Sequence, residues 1–153
     1  MRLIEILKPQ NIKVPIVSHN KADAIAELVN LLAANGEVSD GAKVLEAVME
    51  RESTRTTGIG SGLAIPHGKS AATANLVLAI GKTHEPIDFQ SIDKKPVNLI
   101  CLLVSPPDKG NPHITALAQI SRLMSDDKFK IGLSAAKSAQ EIYDLISRFS
   151  QGT

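Results

Sequence analysis

Val97-Asn98-Leu99-Ile100-Cys101-Leu102-Leu103-Val104 (VNLICLLV) is the stretch on which the fold turns. Only Asn98 interrupts the apolar run, so both alternating faces of an extended chain are apolar here. A strand of that kind is covered on both sides and belongs in the centre of a sheet. The run is too short to cross a membrane as a helix. The segment NLVLAIG, residues 75–81, reads as a second strand by its Val, Ile and Leu content. IKVPIV, residues 12–17, is a weaker candidate, and Pro15 assigns it to an edge. The stretch from Thr56 to Ile65 is also a weak strand candidate. HEPIDFQSIDKKP, residues 84–96, is turn-rich and joins the two strong strands.

Helical periodicity appears on either side of these strands. NKADAIAELVNLLAANG, residues 20–36, sets Ala22, Ile25, Ala26, Val29 and Leu32 on one face, with Asn20 as cap and Gly36 as terminator. SDGAKVLEAVMERE, residues 39–52, repeats the arrangement with Val44, Leu45, Val48 and Met49 inward and Ser39 or Asp40 as cap. A third helix starts with Asn111 as cap and Pro112 at its first position, and buries Ile114, Leu117, Ala118, Ser121 and Met124. A short helix follows over Lys128 to Leu133. Ser138-Ala139-Gln140-Glu141 is a capping box ahead of Ile142, Leu145 and Ile146, and the tail SQGT is expected to fray. With no repeat, linker or low-complexity tract, the chain reads as one mixed α/β domain over 1–153, its core spanning about 6–149.

The 153 residues suffice for a single core, and 43% hydrophobic residues argue against disorder. A net charge of +1 without a basic stripe, and 3% aromatics, make nucleic acid a poor partner. MRLIEILKPQ carries Glu5 and Lys8 within its apolar pattern, so it is not a signal peptide, and no run is long enough for membrane insertion. The single cysteine, Cys101, reads as a small core residue and excludes a disulfide within the chain. These features lead us to expect a cytoplasmic protein.

The densest chemical signal is GIGSGLAIPHGKS, residues 58–70, with four of the ten glycines around His67. Pro66 biases Ile65 towards an extended backbone, and Gly68 either takes a conformation closed to other residues or makes room. His67 then stands at a strand end where an incoming group can reach it; the plain alternative is a turn histidine. His113 falls in the first helical turn, where free N–H groups and the helix dipole favour an anion. If it faced His67, a phosphoryl group on one would find a donor on the other; otherwise it is a surface side chain. Arg51 suits the end of its helix for dipole reasons, and its guanidinium also leads towards His67, where a bidentate donor matches phosphate. Lys69 reads as solvated, and His19 and His84 as surface residues. No His-x-x-x-His or paired-Cys spacing supports a metal. The Gly-x-Gly-x-Gly pattern lacks the Gly-Lys-Ser/Thr ending of a P-loop and the spacing of a Rossmann fingerprint. Gly60-Ser61-Gly62 is not a nucleophile elbow.

RESTRTTGIGSGLAIPHGK, residues 51–69, resembles the phosphorylation segment of enzyme IIA of the bacterial sugar phosphotransferase system, in its fructose/mannitol class. PIDFQSIDKKPVNLICLLVSP, residues 86–106, is similar to that family's second signature, and HITALAQISRLM, residues 113–124, to its later histidine-led helix. The likeness runs from Ile6 to Phe149. It implies a mixed parallel/antiparallel sheet with helices packed on both sides. It implies that His67 is the phosphoryl acceptor, with Arg51 and His113 stabilising the phosphoryl group, and that no cofactor or metal is needed. The implied donor is the phosphocarrier HPr or its nitrogen-branch relative. Onward partners would be a IIB component, a sensor kinase or a transporter. With no fused segment, the chain is most like the free-standing nitrogen-regulatory type. A sugar-specific IIA passing phosphate to IIB, and a non-catalytic binding regulator, are the alternatives. Arg55 departs from the pattern, standing where the family often has glycine, and offers a further phosphate or partner contact.

Overall fold

The computed structural model describes residues 2–151. The central strand is β6, Val97–Ser105, paired on both sides. On one side lies β5, Val77–Ile87, antiparallel to it, and beyond that β1, Leu7–Ile16, parallel to β5. On the other side β6 pairs in parallel with β3, Leu63–Ala64, and β4, His67–Lys69. The short β2, Gly58–Gly60, closes the order β1-β5-β6-β3-β2. The sheet is therefore mixed, and Pro15 does sit on an edge strand, where its missing N–H leaves no gap inside the ladder.

Alternation along β6 builds two cores. Leu99, Cys101 and Leu103 join one cluster, and Ile100, Leu102 and Val104 the other; all six are fully buried. Burial raises the Cys101 thiol pKa, so it stays a neutral core residue. Helices α1, Lys21–Ala34, and α2, Gly41–Thr54, cover the second cluster with Ile25, Leu28, Val29, Leu32, Val44 and Val48. Helices α3, Gly110–Ser121, α4, Asp127–Ala135, and α5, Ala139–Gln151, cover the first. The expected caps at Asn20 and Ser138 are made: Asp23 N–H donates to Asn20 Oδ1 at 2.9 Å and Glu141 N–H to Ser138 Oγ at 3.1 Å. Asp40, rather than Ser39, caps α2 through Lys43 N–H at 3.2 Å.

The structure corrects several expectations. The turn-rich connector begins later than its sequence suggests, because β5 continues through His84 to Ile87. Helix α3 starts at Gly110, with Lys109 as cap, so Pro112 is its third residue and not its first. Its buried face carries His113, Ala116 and Ile120, whereas Ile114 is 65% exposed. The stripe expected to be inward is turned largely towards solvent, while Met124 is buried in the short 3₁₀ turn that follows. Ala22 in α1 is likewise exposed, its place taken by Ala24 and Leu28. The tail expected to fray begins inside a helix, since α5 reaches Gln151; Gly152 and Thr153 lie outside the described residues.

Candidate functional site

The parallel ladder of β3 and β4 on β6 is broken at Ile65-Pro66, and the break orients His67. Leu103 N–H donates across to Pro66 O at 3.0 Å. Ile65 N–H donates instead to Thr57 O at 3.0 Å. The Ile65 carbonyl lies past the end of β2 and has no strand partner there; it accepts from His67 Nδ1 at 2.8 Å. A carbonyl is only an acceptor, so Nδ1 carries the proton and Nε2 of the neutral ring carries the lone pair. Burial lowers the His67 pKa and the Arg51 charge adds to that, against the Ile65 hydrogen bond and Glu52, which raise it. The net shift is downward, so the ring is neutral at pH 7.

Gly68 follows and permits a close approach. A methyl group there would lie 3.2 Å from Val48 Cγ2 and from Val48 N, and 3.3 Å from the Ala47 carbonyl carbon. Its absence lets the backbone of α2 rest on β4. The docked face of α2 carries Ala47, Glu50, Arg51 and Thr54 to a cleft shared with His67, Gly68, Lys69 and His113. Of the two roles open to Gly68, making room is the one it fills. The other glycines of the segment serve the hairpin: Gly62 has φ +80°, and a side chain there would also meet Asn98 Oδ1 at 2.7 Å.

His113 approaches from α3. Its ring centroid is 5.4 Å from that of His67, with the planes at 64°. It is 6% exposed, so it is not the surface side chain that its position suggested. Its own N–H is not one of the free first-turn groups, because it donates to Lys109 O at 3.2 Å. Nδ1 lies 2.6 Å from Ser105 Oγ. Burial, reinforced by His67 and Lys69, pushes the His113 pKa down to about 4. Arg51 is half-buried, with Nη1 donating to Arg55 O at 2.8 Å. That bond tethers one end of the guanidinium and leaves the other donors free of this tether. Arg55 itself is exposed at the end of α2. His19 and His84 are exposed.

Sequence reasoning missed four features. Lys69 is exposed, but β4 alternation puts it on the same face as His67, and it lines the cleft with Arg51 and His113. Glu52 is buried at 5% exposure and accepts from Thr57 N–H at 2.8 Å and Thr57 Oγ1 at 2.5 Å, with Lys21 Nζ at 2.8 Å. It ties α2 to the strand that leads into His67. Ser105 touches His113. Ile59, Ile92 and Ile114, all exposed, rim an apolar hollow that also holds Arg51, Arg55, His67 and Leu117.

Two neutral imidazoles, a guanidinium and an ammonium around one small cleft form a setting for a transferable oxyanion. Comparison with known proteins gives the chain a family. Residues 5–149 match the family model described as "Phosphoenolpyruvate-dependent sugar phosphotransferase system, EIIA 2". The chain belongs to this family. It is 34% identical over 148 residues to the fructose-specific EIIABC component of Bacillus subtilis, covering 97% of the chain but 23% of that longer protein. It is 34% identical over 147 residues to the nitrogen regulatory protein of Bradyrhizobium diazoefficiens, covering 96% of the chain and 95% of the relative. The structure of nitrogen regulatory protein IIA-Ntr from Neisseria meningitidis superposes with a TM-score of 0.87 at 30% identity, over 94% of this chain and 98% of that one.

Proposed function

We propose that this protein accepts a phosphoryl group on His67 Nε2 from a phosphohistidine of HPr or its nitrogen-branch relative, and acts through its phosphorylation state. The observation that carries the reading is the Nδ1–H bond to Ile65 O, which leaves Nε2 as the nucleophile of a fixed, neutral ring. In the step, the Nε2 lone pair forms an N–P bond while the donor's P–N bond breaks and its imidazole leaves with the electron pair. The proton stays on His67 Nδ1 and is still donated to Ile65 O, so the new phosphohistidine keeps its hydrogen bond. The transition state for such transfer is loose, so alignment and charge stabilisation do most of the work. Arg51, Lys69 and His113 supply that stabilisation from the walls of one cleft.

A protein donor must lay its own imidazole against His67, and the exposed Ile59, Ile92 and Ile114 offer an apolar rim for that contact. The same rim serves an onward partner: a sensor kinase or transporter in the regulatory form, or a IIB component where the phosphoryl group is passed towards a sugar. The near full-length likeness to nitrogen regulatory proteins supports the regulatory form, and the likeness to a fructose-specific component supports the other. Either form acts in the cytoplasm, beside its phosphocarrier. Among the described residues no helix is long and apolar enough to cross a membrane.

The test is phosphoryl transfer from radiolabelled phospho-HPr. Wild type is labelled and His67→Ala is not, while His113→Ala is labelled about 10- to 100-fold more slowly, the worth of one hydrogen bond to a charged group. Undiminished label on His67→Ala removes the assignment.

A further inference from the structure

Ser105 is fully buried at the end of β6, and its hydroxyl takes no part in the mechanism above. Its backbone is held against β4: it pairs in register with Lys69, and its carbonyl accepts from Ser70 N–H at 2.9 Å. Its Oγ lies 2.6 Å from His113 Nδ1. We propose that Ser105 is a positioning residue, whose hydroxyl donates to His113 Nδ1 and holds that ring in the tautomer with its proton on Nε2, where it serves as a donor to the phosphoryl group on His67.

With its pKa near 4, His113 is neutral at pH 7 and has a single N–H to give. A hydroxyl beside Nδ1 either accepts that proton or donates its own. If it accepts, His113 turns a lone pair towards the cleft and repels phosphoryl oxygens. If it donates, His113 turns an N–H towards them. His67 is fixed in the opposite sense, with Nδ1–H on Ile65 O and its lone pair on Nε2. The two rings, 5.4 Å apart, then present a nucleophile and a hydrogen-bond donor to the same incoming group. A strand residue sets this more firmly than a loop residue would. The proposal rests on the reading of His67 as acceptor.

The experiment has two readouts. Long-range 1H–15N correlation of the histidine side chains at pH 7.5 reports the tautomer of His113 in the wild type, Ser105→Ala, Ser105→Cys and Ser105→Thr. Phospho-HPr gives the transfer rate of each. We expect the Nε2–H form alone in the wild type and a mixture in Ser105→Ala. Transfer should fall about three- to tenfold in Ser105→Ala, the worth of a neutral hydrogen bond. It should be restored by Ser105→Thr and lie between in Ser105→Cys, whose thiol is a weak donor. A wild-type His113 protonated on Nδ1 overturns the proposal, and so does a Ser105→Ala protein with wild-type tautomer and rate. If Ser105→Ala or Ser105→Thr loses its dispersed amide spectrum, the wild-type tautomer and Ser105→Cys decide alone. A wild type that phospho-HPr never labels brings down the acceptor reading and the positioning role with it. A labelled wild type with an indifferent Ser105→Ala brings down the positioning role only.

Discussion

A histidine becomes a nucleophile by losing its choice of tautomer and its charge. At His67 both are settled by short-range contacts. The Ile65 carbonyl accepts a hydrogen bond from Nδ1–H, and burial next to Arg51 disfavours the imidazolium. The direction of that shift gives a pH prediction. The His67 ring should titrate below 6.5, the ordinary imidazole value, in a side-chain NMR titration. Transfer should therefore be level around neutral pH and fall only as the medium is acidified past that value. Arg51→Ala removes the depressing charge, so the midpoint should move upward in that variant. A wild-type midpoint above 6.5 would contradict the account. The sequence marked out His67 by its unusual neighbours, whereas Arg51 and His113 had plain structural readings and joined it through the family resemblance. Ser105 and Glu52 were not visible, because nothing in their local spacing shows that a strand end will meet His113 or that a helix glutamate will be buried against Thr57.

Between α2 and β4 the decisive contact is backbone to backbone. Gly68 is the point where they meet, and it sets how near Arg51 comes to His67. Gly68→Ala must push α2 outward or distort β4, at a cost of about 1–3 kcal/mol for overpacking. Denaturant unfolding should show that loss, and transfer from phospho-HPr should slow as Arg51 withdraws. An Ala variant with wild-type stability and rate would show that the close approach is dispensable. Helix α3 shows why pattern reading misplaced a face. It carries two apolar stripes: Ala116 and Ile120 with His113 pack inward, whereas Ile114, Leu117 and Ala118 line the apolar hollow. Periodicity finds an apolar stripe and assigns it to the core, but it does not tell a core face from an exposed apolar one. β6 was legible for the converse reason, since a strand apolar on both faces has only one kind of place in a sheet.

Over the whole molecule, the β3-β4 end of the sheet carries an exposed apolar rim. The exposed isoleucines there come from three separate segments: Ile59 from β2, Ile92 from the connector before β6, and Ile114 from α3. Only the fold brings them together, so the sequence did not reveal the rim. Ile92→Asp with Ile114→Asp should leave the thermal unfolding midpoint close to wild type, because both side chains are exposed at 59% and 65%. It should raise the KM for phospho-HPr about tenfold or more, as charge is introduced into an apolar contact. An unchanged KM would remove the rim from the interface. The account as a whole stands on one bond, between phosphorus and His67 Nε2. Phosphorylation of uniformly 15N-labelled protein by phospho-HPr, followed by 15N–31P coupling on the imidazole resonances, locates that bond directly. The account predicts the phosphoryl group on Nε2 of His67, with Nδ1 still protonated. A phosphoryl group on Nδ1, or on any other residue, would contradict it.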